Sequence, residues 1–348
     1  MNYVEQYAAA IERGEVKVSK RCRAVYKKLA AATRDTSGPF IFDESKANRP
    51  IEFVERFCRH SKGEWAGKPV KLELFQKAFI SALFGFVHKE TGYRQYRETL
   101  FYVARKNGKS LLLSAIALYC LIADNEPGAE VYSVATKKDQ AKIVFDELCN
   151  MVKQSPSLSK RCKKRKSDLY FSYTMSKCQP LGKNSDTLDG LNSSLVIMDE
   201  LHGIKDRNLY EVMKQSQSAR RQPLLIMITT AGTVRECIFD DMYKYACDVA
   251  DGIIEDNTFL PIIYELDSRE EWLDPGSWQK ANPGLGVIKK LDDIISKVER
   301  AKNSPRDLTG VLTKDFNVIS TTSTAWLAYD DINNPETFDI KDFAGYYA

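Results

Sequence analysis

Apolar residues recur at helical spacing through residues 3–34, at Tyr3, Tyr7 and Ile11 and then at Val25, Leu29 and Ala32, with Gly14 interrupting the run. A polar stretch containing glycine and proline spans residues 34–50 and ends at Pro50. Ile51, Val54, Phe57 and Cys58 then share one face, which predicts a short amphipathic helix over residues 51–60. From residue 99 the pattern changes. Compact apolar runs at 99–104 (TLFYVA), 130–135 (EVYSVA), 195–198 (LVIM) and 224–230 (LLIMITT) are strand-sized and apolar on both faces. Between them, residues 110–122, 139–152 and 209–219 read as helices. Doubly buried strands alternating with helices predict a parallel sheet covered on both sides, an α/β fold over roughly residues 65–265. Beyond Leu266, the residues Trp272, Pro275, Trp278, Pro283, Gly284 and Gly286 crowd an irregular stretch, followed by a charged helix at 291–302 and a strand-like segment at 316–321. This part is expected to be a small helical lid or linker. No repeat of fixed period is present.

Composition narrows the class. The 348 residues are 43% hydrophobic and 28% charged, a globular balance that excludes collagen-like or wholly disordered chains. Such a length allows about two ordinary domains. No apolar run is long enough to span a bilayer, and the N-terminus lacks a signal-peptide layout, so a soluble cytosolic protein is expected. None of the eight cysteines is spaced as CxxC, and with three histidines available the expectation is free thiols and no zinc site. Net charge is 51 − 47 = +4, but unevenly spread. Lys20, Arg21, Arg23 and Lys27 cluster within 17–28, and residues 160–166 read KRCKKRK. Such patches can neutralise nucleic-acid phosphates or can be solvated loops.

The main chemical signal is Val103-Ala104-Arg105-Lys106-Asn107-Gly108-Lys109-Ser110, between an apolar strand and an apolar helix. This is the context of a phosphate loop. Gly108 permits close backbone approach, and the helix start offers free N–H groups. Lys109 would meet the β- and γ-phosphates of ATP, and the Ser110 hydroxyl would ligate Mg²⁺. The first glycine of the usual motif is replaced by Val103, so by itself the run could be a chance Gly-Lys-Ser turn. The strand at 195–198 runs into Asp199 and Glu200, suited to binding Mg²⁺ and to polarising the attacking water respectively; an ordinary charged turn is the alternative. Thr229, Thr230 and Ala231 end the next buried strand, where paired hydroxyls can sense a γ-phosphate or simply close a β-branched strand. Upstream, the amide of Gln76 could pair with an adenine edge or stand exposed on a helix.

The ordered set of these motifs resembles the large terminase subunits of tailed bacteriophages, in the group that includes the HK97-like phages. The resemblance rests on FVERFC (53–58), ARKNGKS (104–110), ATKKDQA (135–141), LDGLN (188–192), DELH (199–202), TTAG (229–232) and ANPGLG (281–286), and covers almost the whole chain. It implies a RecA-like P-loop NTPase of the ASCE class, with a mostly parallel sheet, helices on both faces and a small helical lid. The implied organisation is an N-terminal helical extension (1–50), the ATPase domain (51–265), a lid or linker (266–320) and the start of an RNase H-like nuclease domain (321–348).

The resemblance further implies an ATP- and Mg²⁺-dependent motor that drives double-stranded DNA into a procapsid through the portal protein. A small terminase subunit would assist a homo-oligomeric ring in the host bacterial cytoplasm. Glu200, Lys109 and Arg105 would be catalytic. Gln76, Arg105, Lys106, Asn107, Gly108, Lys109 and Ser110 would bind nucleotide, and Ser110 and Asp199 the metal. Thr229, Thr230 and Ala231 would couple hydrolysis to movement. Arg220 or Arg221 would reach a neighbour's site as an arginine finger. The first metal-binding aspartate of the nuclease is expected beyond Ala348, so no nuclease activity is expected, and Asp315, Asp330, Asp331 and Asp342 are read as surface acids. A helicase-like motor and a nucleotide-binding module without hydrolysis are the alternatives.

Overall fold

A computed structural model describes residues 1–182, 188, 190–205, 207–234 and 237–319. The expected nuclease start at 321–348, with Asp330, Asp331 and Asp342, lies outside the described residues, as does Asp189. The helices are α1 (Tyr3–Glu12), α2 (Lys20–Ala32), α3 (Glu44–Phe57), α4 (Leu74–Gly85), α5 (Lys109–Ile122), α6 (Lys138–Gln154), α7 (Pro156–Ser159), α8 (Arg207–Gln215), α9 (Ile238–Ala250), α10 (Leu291–Lys302) and α11 (Pro305–Asp315). A small antiparallel pair joins β1 (Phe40–Phe42) to β2 (Phe86–His88). The main strands are β3 (Glu98–Tyr102), β4 (Glu130–Ala135), β5 (Cys162–Lys164), β6 (Leu169–Phe171), β7 (Ser176–Gly182), β8 (Leu195–Asp199), β9 (Leu224–Thr229) and β10 (Phe259–Ile263). They form one sheet in the order β10-β3-β9-β8-β4-β7-β6-β5. Strands β10 through β7 are parallel, and β6 and β5 add an antiparallel edge.

The expected double burial of the strands is visible residue by residue. Phe101, Val131, Leu195, Ile197, Ile226 and Ile228 join the core beneath α1–α6. Their strand neighbours Leu100, Tyr102, Tyr132, Val196, Met198, Leu225 and Met227 join the core beneath α8 and α9. This alternation is the period of two that a pleated strand imposes. A third, smaller core gathers Leu266, Trp278, Ala281, Ile294, Val298, Val311 and Phe316 against Ala104 and forms the helical lid.

Several boundaries differ from the sequence pattern. Helix α3 begins at Glu44, capped by Asp43, whose side chain accepts from the N–H groups of Ser45 and Lys46, and it carries the buried Pro50 in its interior. The boundary expected at residue 50 therefore falls inside a helix. Proline usually opens a helix because it lacks an N–H, and here the apolar face that it helps bury outweighs the lost hydrogen bond. The strand expected at 316–321 is absent over its described part. Helix α11 precedes it, and Phe316 instead fills the lid core. The eight cysteines are free thiols. No helix among the described residues is long and apolar enough to cross a membrane.

Candidate active site

Parallel register sets the site. Tyr102 at the end of β3 lies beside Thr229 of β9, and Asp199 at the end of β8 lies beside Ile228. The phosphate loop, the acid pair and the threonine pair therefore emerge at the same carboxyl edge, where open α/β sheets bind ligands. A cavity of about 490 Å³ opens there, lined by Arg105, Lys106, Gly108, Lys109, Ser110, Asp199, Glu200, His202, Thr229 and Thr230 among others.

The loop tolerates Val103 because its turns lie elsewhere. Lys106 and Gly108 adopt the left-handed conformation, with φ 66° and 78°. Val103 is buried in the core and offers its carbonyl to the Lys109 ammonium at 2.8 Å. Burial is the main influence on Lys109, lowering its pKa to about 8; Asp199 and Glu200 oppose the shift, and the cations Arg105 and Lys289 reinforce it. Burial raises the Asp199 carboxyl above its ordinary range, and the Glu200 charge adds to this, while Lys109 pulls it back. Burial thus disfavours the charged form of both groups, a cost that an anionic phosphate with a cation would relieve.

Glu200 itself is strained, at φ 53°, ψ 51°. Its backbone N–H donates to Asp199 Oδ1 at 2.9 Å, and its side-chain Oε2 accepts from Gln140 Nε2 at 3.1 Å. A non-glycine residue in this region costs on the order of 1 kcal/mol or more and persists where the surroundings over-determine it, often at active sites. Behind it, the His202 N–H donates to Thr229 Oγ1 at 3.2 Å, and the His202 Nδ1 lies 2.8 Å from the same hydroxyl. Thr229 in turn donates to the Thr230 carbonyl. Thr230 Oγ1 is buried with no hydrogen-bond partner among the described residues, so a ligand oxygen in the cavity would satisfy it. Gly232, at φ 57°, lets the chain pass the His202 ring, since a Cβ there would lie 2.4 Å from it. Gly232→Ala is expected to destabilise the protein by about 1–3 kcal/mol, read from urea or guanidinium unfolding midpoints.

Gln76 is buried rather than exposed. Its Oε1 accepts from the Glu73 N–H, and its Nε2 faces Gly108, lying 3.3 Å from where a Cβ would stand. Asn107 does not face the cavity. Its side chain is 1% exposed, and its amide is spent on the carbonyls of Ala104 and Arg105 and on Asn282. Its side chain supports the loop. Arg220 is likewise committed. Its guanidinium donates to the carbonyls of Asn192 and Gly128 and pairs with Glu126, at the amino-terminal end of the strands and away from the cavity. Arg221 is exposed and donates to the Tyr93 hydroxyl. Asp315, expected at the surface, is buried against Lys289. Gln140 and His202 carry site contacts that the sequence reading left without roles. A glutamine in the first turn after a buried strand, and a histidine directly behind an acid pair, were the available signals.

A phosphate loop on one strand and an acid pair on another, separated by the intervening β9, define a P-loop NTPase of the RecA-like, additional-strand class. Residues 74–248, half of the chain, match the family model for the terminase large subunit ATPase domain, and the chain belongs to that family. The chain is 28% identical over 268 residues to the terminase large subunit of Enterobacteria phage HK97, covering 75% of this chain and 51% of that protein. It is 26% identical over 278 residues to the terminase large subunit of Lactococcus phage p2, covering 76% and 50%. The crystal structure of the HK97 bacteriophage large terminase superposes with a TM-score of 0.68 at 26% identity, over 79% of this chain and 55% of that one. The chain spans about half the length of the curated relatives it matches.

The expectation that this chain stops short of the nuclease domain is corrected. Residues 253–348 match the family model for the terminase large subunit endonuclease domain. That expectation placed the start of the domain at residue 321 and its first metal-binding aspartate beyond Ala348, whereas the match begins well upstream, at residues that in this fold include β10 and the lid. The absence of nuclease activity is therefore not supported by this sequence.

Proposed function

We propose that this chain hydrolyses ATP as the motor of a DNA-packaging terminase. The observation that carries the reading is the convergence of Lys109, Ser110, Asp199 and Glu200 on one cavity at the strand ends. In this reading Gly108 and the start of α5 present backbone N–H groups to the phosphates. Lys109 exchanges the Val103 carbonyl for the β- and γ-phosphate oxygens, and Arg105 and Lys106 flank them. Ser110 and Asp199 would hold Mg²⁺, which neutralises charge developing on the phosphates. Glu200 orients the attacking water and accepts its proton, with Gln140 fixing the carboxylate. Thr229 and Thr230 couple phosphate loss to the β9 end through His202, and Gln76 borders the adenine side of Gly108. The primary test is ATP turnover by the purified chain and its loss on replacing Lys109 or Glu200.

By family membership, the work done would be translocation of double-stranded DNA through a portal by a ring of these chains, with a small terminase subunit, in the host bacterial cytoplasm. A neighbour's arginine would complete each site, with Arg221 the exposed candidate. For contact with DNA, the two basic stretches differ. In the first, Arg21 is paired with Asp251 and Glu265. In the second, Lys163, Lys164 and Lys166 stand exposed at the antiparallel sheet edge, and Lys164 and Lys166 share a pocket of about 390 Å³ with Lys138 and Lys142. Arg165 is partly engaged by Asp168. Replacing Lys163, Lys164 and Lys166 together by Ala is expected to weaken duplex binding and reduce its log–log salt slope by about 2–3, measured by fluorescence anisotropy across salt. An unchanged slope assigns these lysines to solvent.

A further inference from the structure

The phosphate loop is tied to the lid by a buried polar chain that catalysis as described does not use. Asn107 Oδ1 accepts from the Gly284 N–H at 3.1 Å, and Asn107 Nδ2 reaches Asn282 Oδ1 at 3.0 Å. Asn282 Nδ2 donates to the carbonyls of Trp278 and Asp315, and its Oδ1 also accepts from Lys289 Nζ at 2.8 Å. Lys289 Nζ is 2.8 Å from Asp315 Oδ1, and Lys297 approaches the same oxygen at 3.2 Å. Asn107, Asn282 and Lys289 are 1%, 0% and 2% exposed. Two backbone bonds run alongside, from the Ala104 N–H to the Ala281 carbonyl and from the Arg105 N–H to the Lys314 carbonyl. Ile288 covers Gly108.

This chain of bonds holds a strained element. Lys106 is in the left-handed region, and the Asn107 amide binds the carbonyls of Ala104 and Arg105 just before it. A buried ammonium is costly unless fully paired, and here Lys289 gains the Asp315 carboxylate and the Asn282 carbonyl oxygen. Satisfied buried networks of this kind rigidify what they connect. Asn282, Lys289 and Asp315 all lie in the segment that matches the endonuclease-domain model, yet they grip the loop of the ATPase-domain model.

We propose that Asn282, Lys289 and Asp315 are positioning residues for the ATP site, acting through Asn107 to hold the phosphate loop in its nucleotide-ready conformation. The proposal rests on the ATPase reading for its purpose, but its geometry can be tested without nucleotide. The latch predicts protection of the Ala104 and Arg105 amides, since their partners move with the lid. In Lys289→Met, hydrogen exchange across residues 104–110 is expected to rise at least tenfold in the nucleotide-free protein, and the Kd for a fluorescent ATP analogue to rise about tenfold. Lys289→Gln, which keeps an amide donor, should recover part of both. If Lys289→Met does not fold, Asn282→Ser serves in its place, with the same expectations. Parent-like exchange across the loop in a folded variant overturns the proposal, whatever the change in melting temperature. The double variant Asn107→Ala/Lys289→Met should weaken analogue binding no more than Asn107→Ala alone, because both act through one path; full additivity of the two effects also overturns it. If Lys109→Ala binds the analogue as the parent does, the ATPase reading fails, and the exchange result still decides the latch.

Discussion

Glu200→Gln is expected to lower ATP turnover at least about 100-fold while nucleotide affinity stays within about threefold of the parent. In the proposed mechanism the change removes the group that takes a proton from water and leaves the groups that hold phosphate. Glutamine keeps the size of the side chain and can still meet Gln140, so the left-handed turn at residue 200 need not rearrange. A group that acts on the reacting water should lower kcat, whereas one that only binds substrate should raise KM. Steady-state turnover with a parallel titration of a fluorescent ATP analogue separates the two. Turnover within fivefold of the parent would remove Glu200 from the chemistry. Asp199 is the adjacent acid, and in the proposed mechanism it holds Mg²⁺ and leaves the proton transfer to Glu200.

The second large effect concerns Lys109. Lys109→Ala should weaken nucleotide binding about 100-fold, the scale of a charge-assisted hydrogen bond of roughly 3 kcal/mol lost from a desolvated site. Its pH dependence supplies an internal check. Because burial lowers its pKa to about 8, the empty site carries the full positive charge below that pH and loses it above. Phosphate binding favours the charged form, so nucleotide affinity should be flat below about pH 8 and fall by up to about tenfold per pH unit above it, with proton uptake on binding. Lys109→Ala should abolish that slope, and a slope that survives the substitution would assign it to another group. The stability contribution runs the other way. The unfolded chain holds the lysine proton up to about pH 10.4 and the folded one only to about 8, so across that window the unfolded state binds more protons. Lys109 therefore makes folding more favourable as pH rises from about 8 to 10.4, and its replacement should flatten that rise.

Much of the site was legible because its residues are close in sequence and their chemistry is specific. Gly108, Lys109 and Ser110 sit at one strand-to-helix junction, and Asp199 and Glu200 at the end of another apolar run. Such local signals survive without knowledge of packing. Three kinds of feature were not legible. Pro50 suggested a helix start because proline preference is local, whereas burial of the α3 face is a tertiary effect. Asn107 read as a phosphate contact because it lies in the loop; its side-chain direction depends on where Asn282 comes to rest, 175 residues away. Asp315 read as a surface acid and Arg220 as an arginine free to reach a neighbour because charge predicts exposure on average; each is held by partners that only the folded chain supplies, Lys289 for one and Glu126 with the carbonyls of Gly128 and Asn192 for the other.

The sequence by itself determined the α/β class, the phosphate loop, the acid pair and the kinship with terminase large subunits, since apolar period and short motifs are properties of neighbouring residues. Tertiary structure decided the order of the strands, the pairing of Gln140 with Glu200 and of His202 with Thr229, and the grip of the lid on Asn107. Those depend on which distant segments share a sheet edge or a buried pocket, and that choice is made by packing the two faces of the sheet and pairing most of the polar groups they bury, not by any stretch of chain alone.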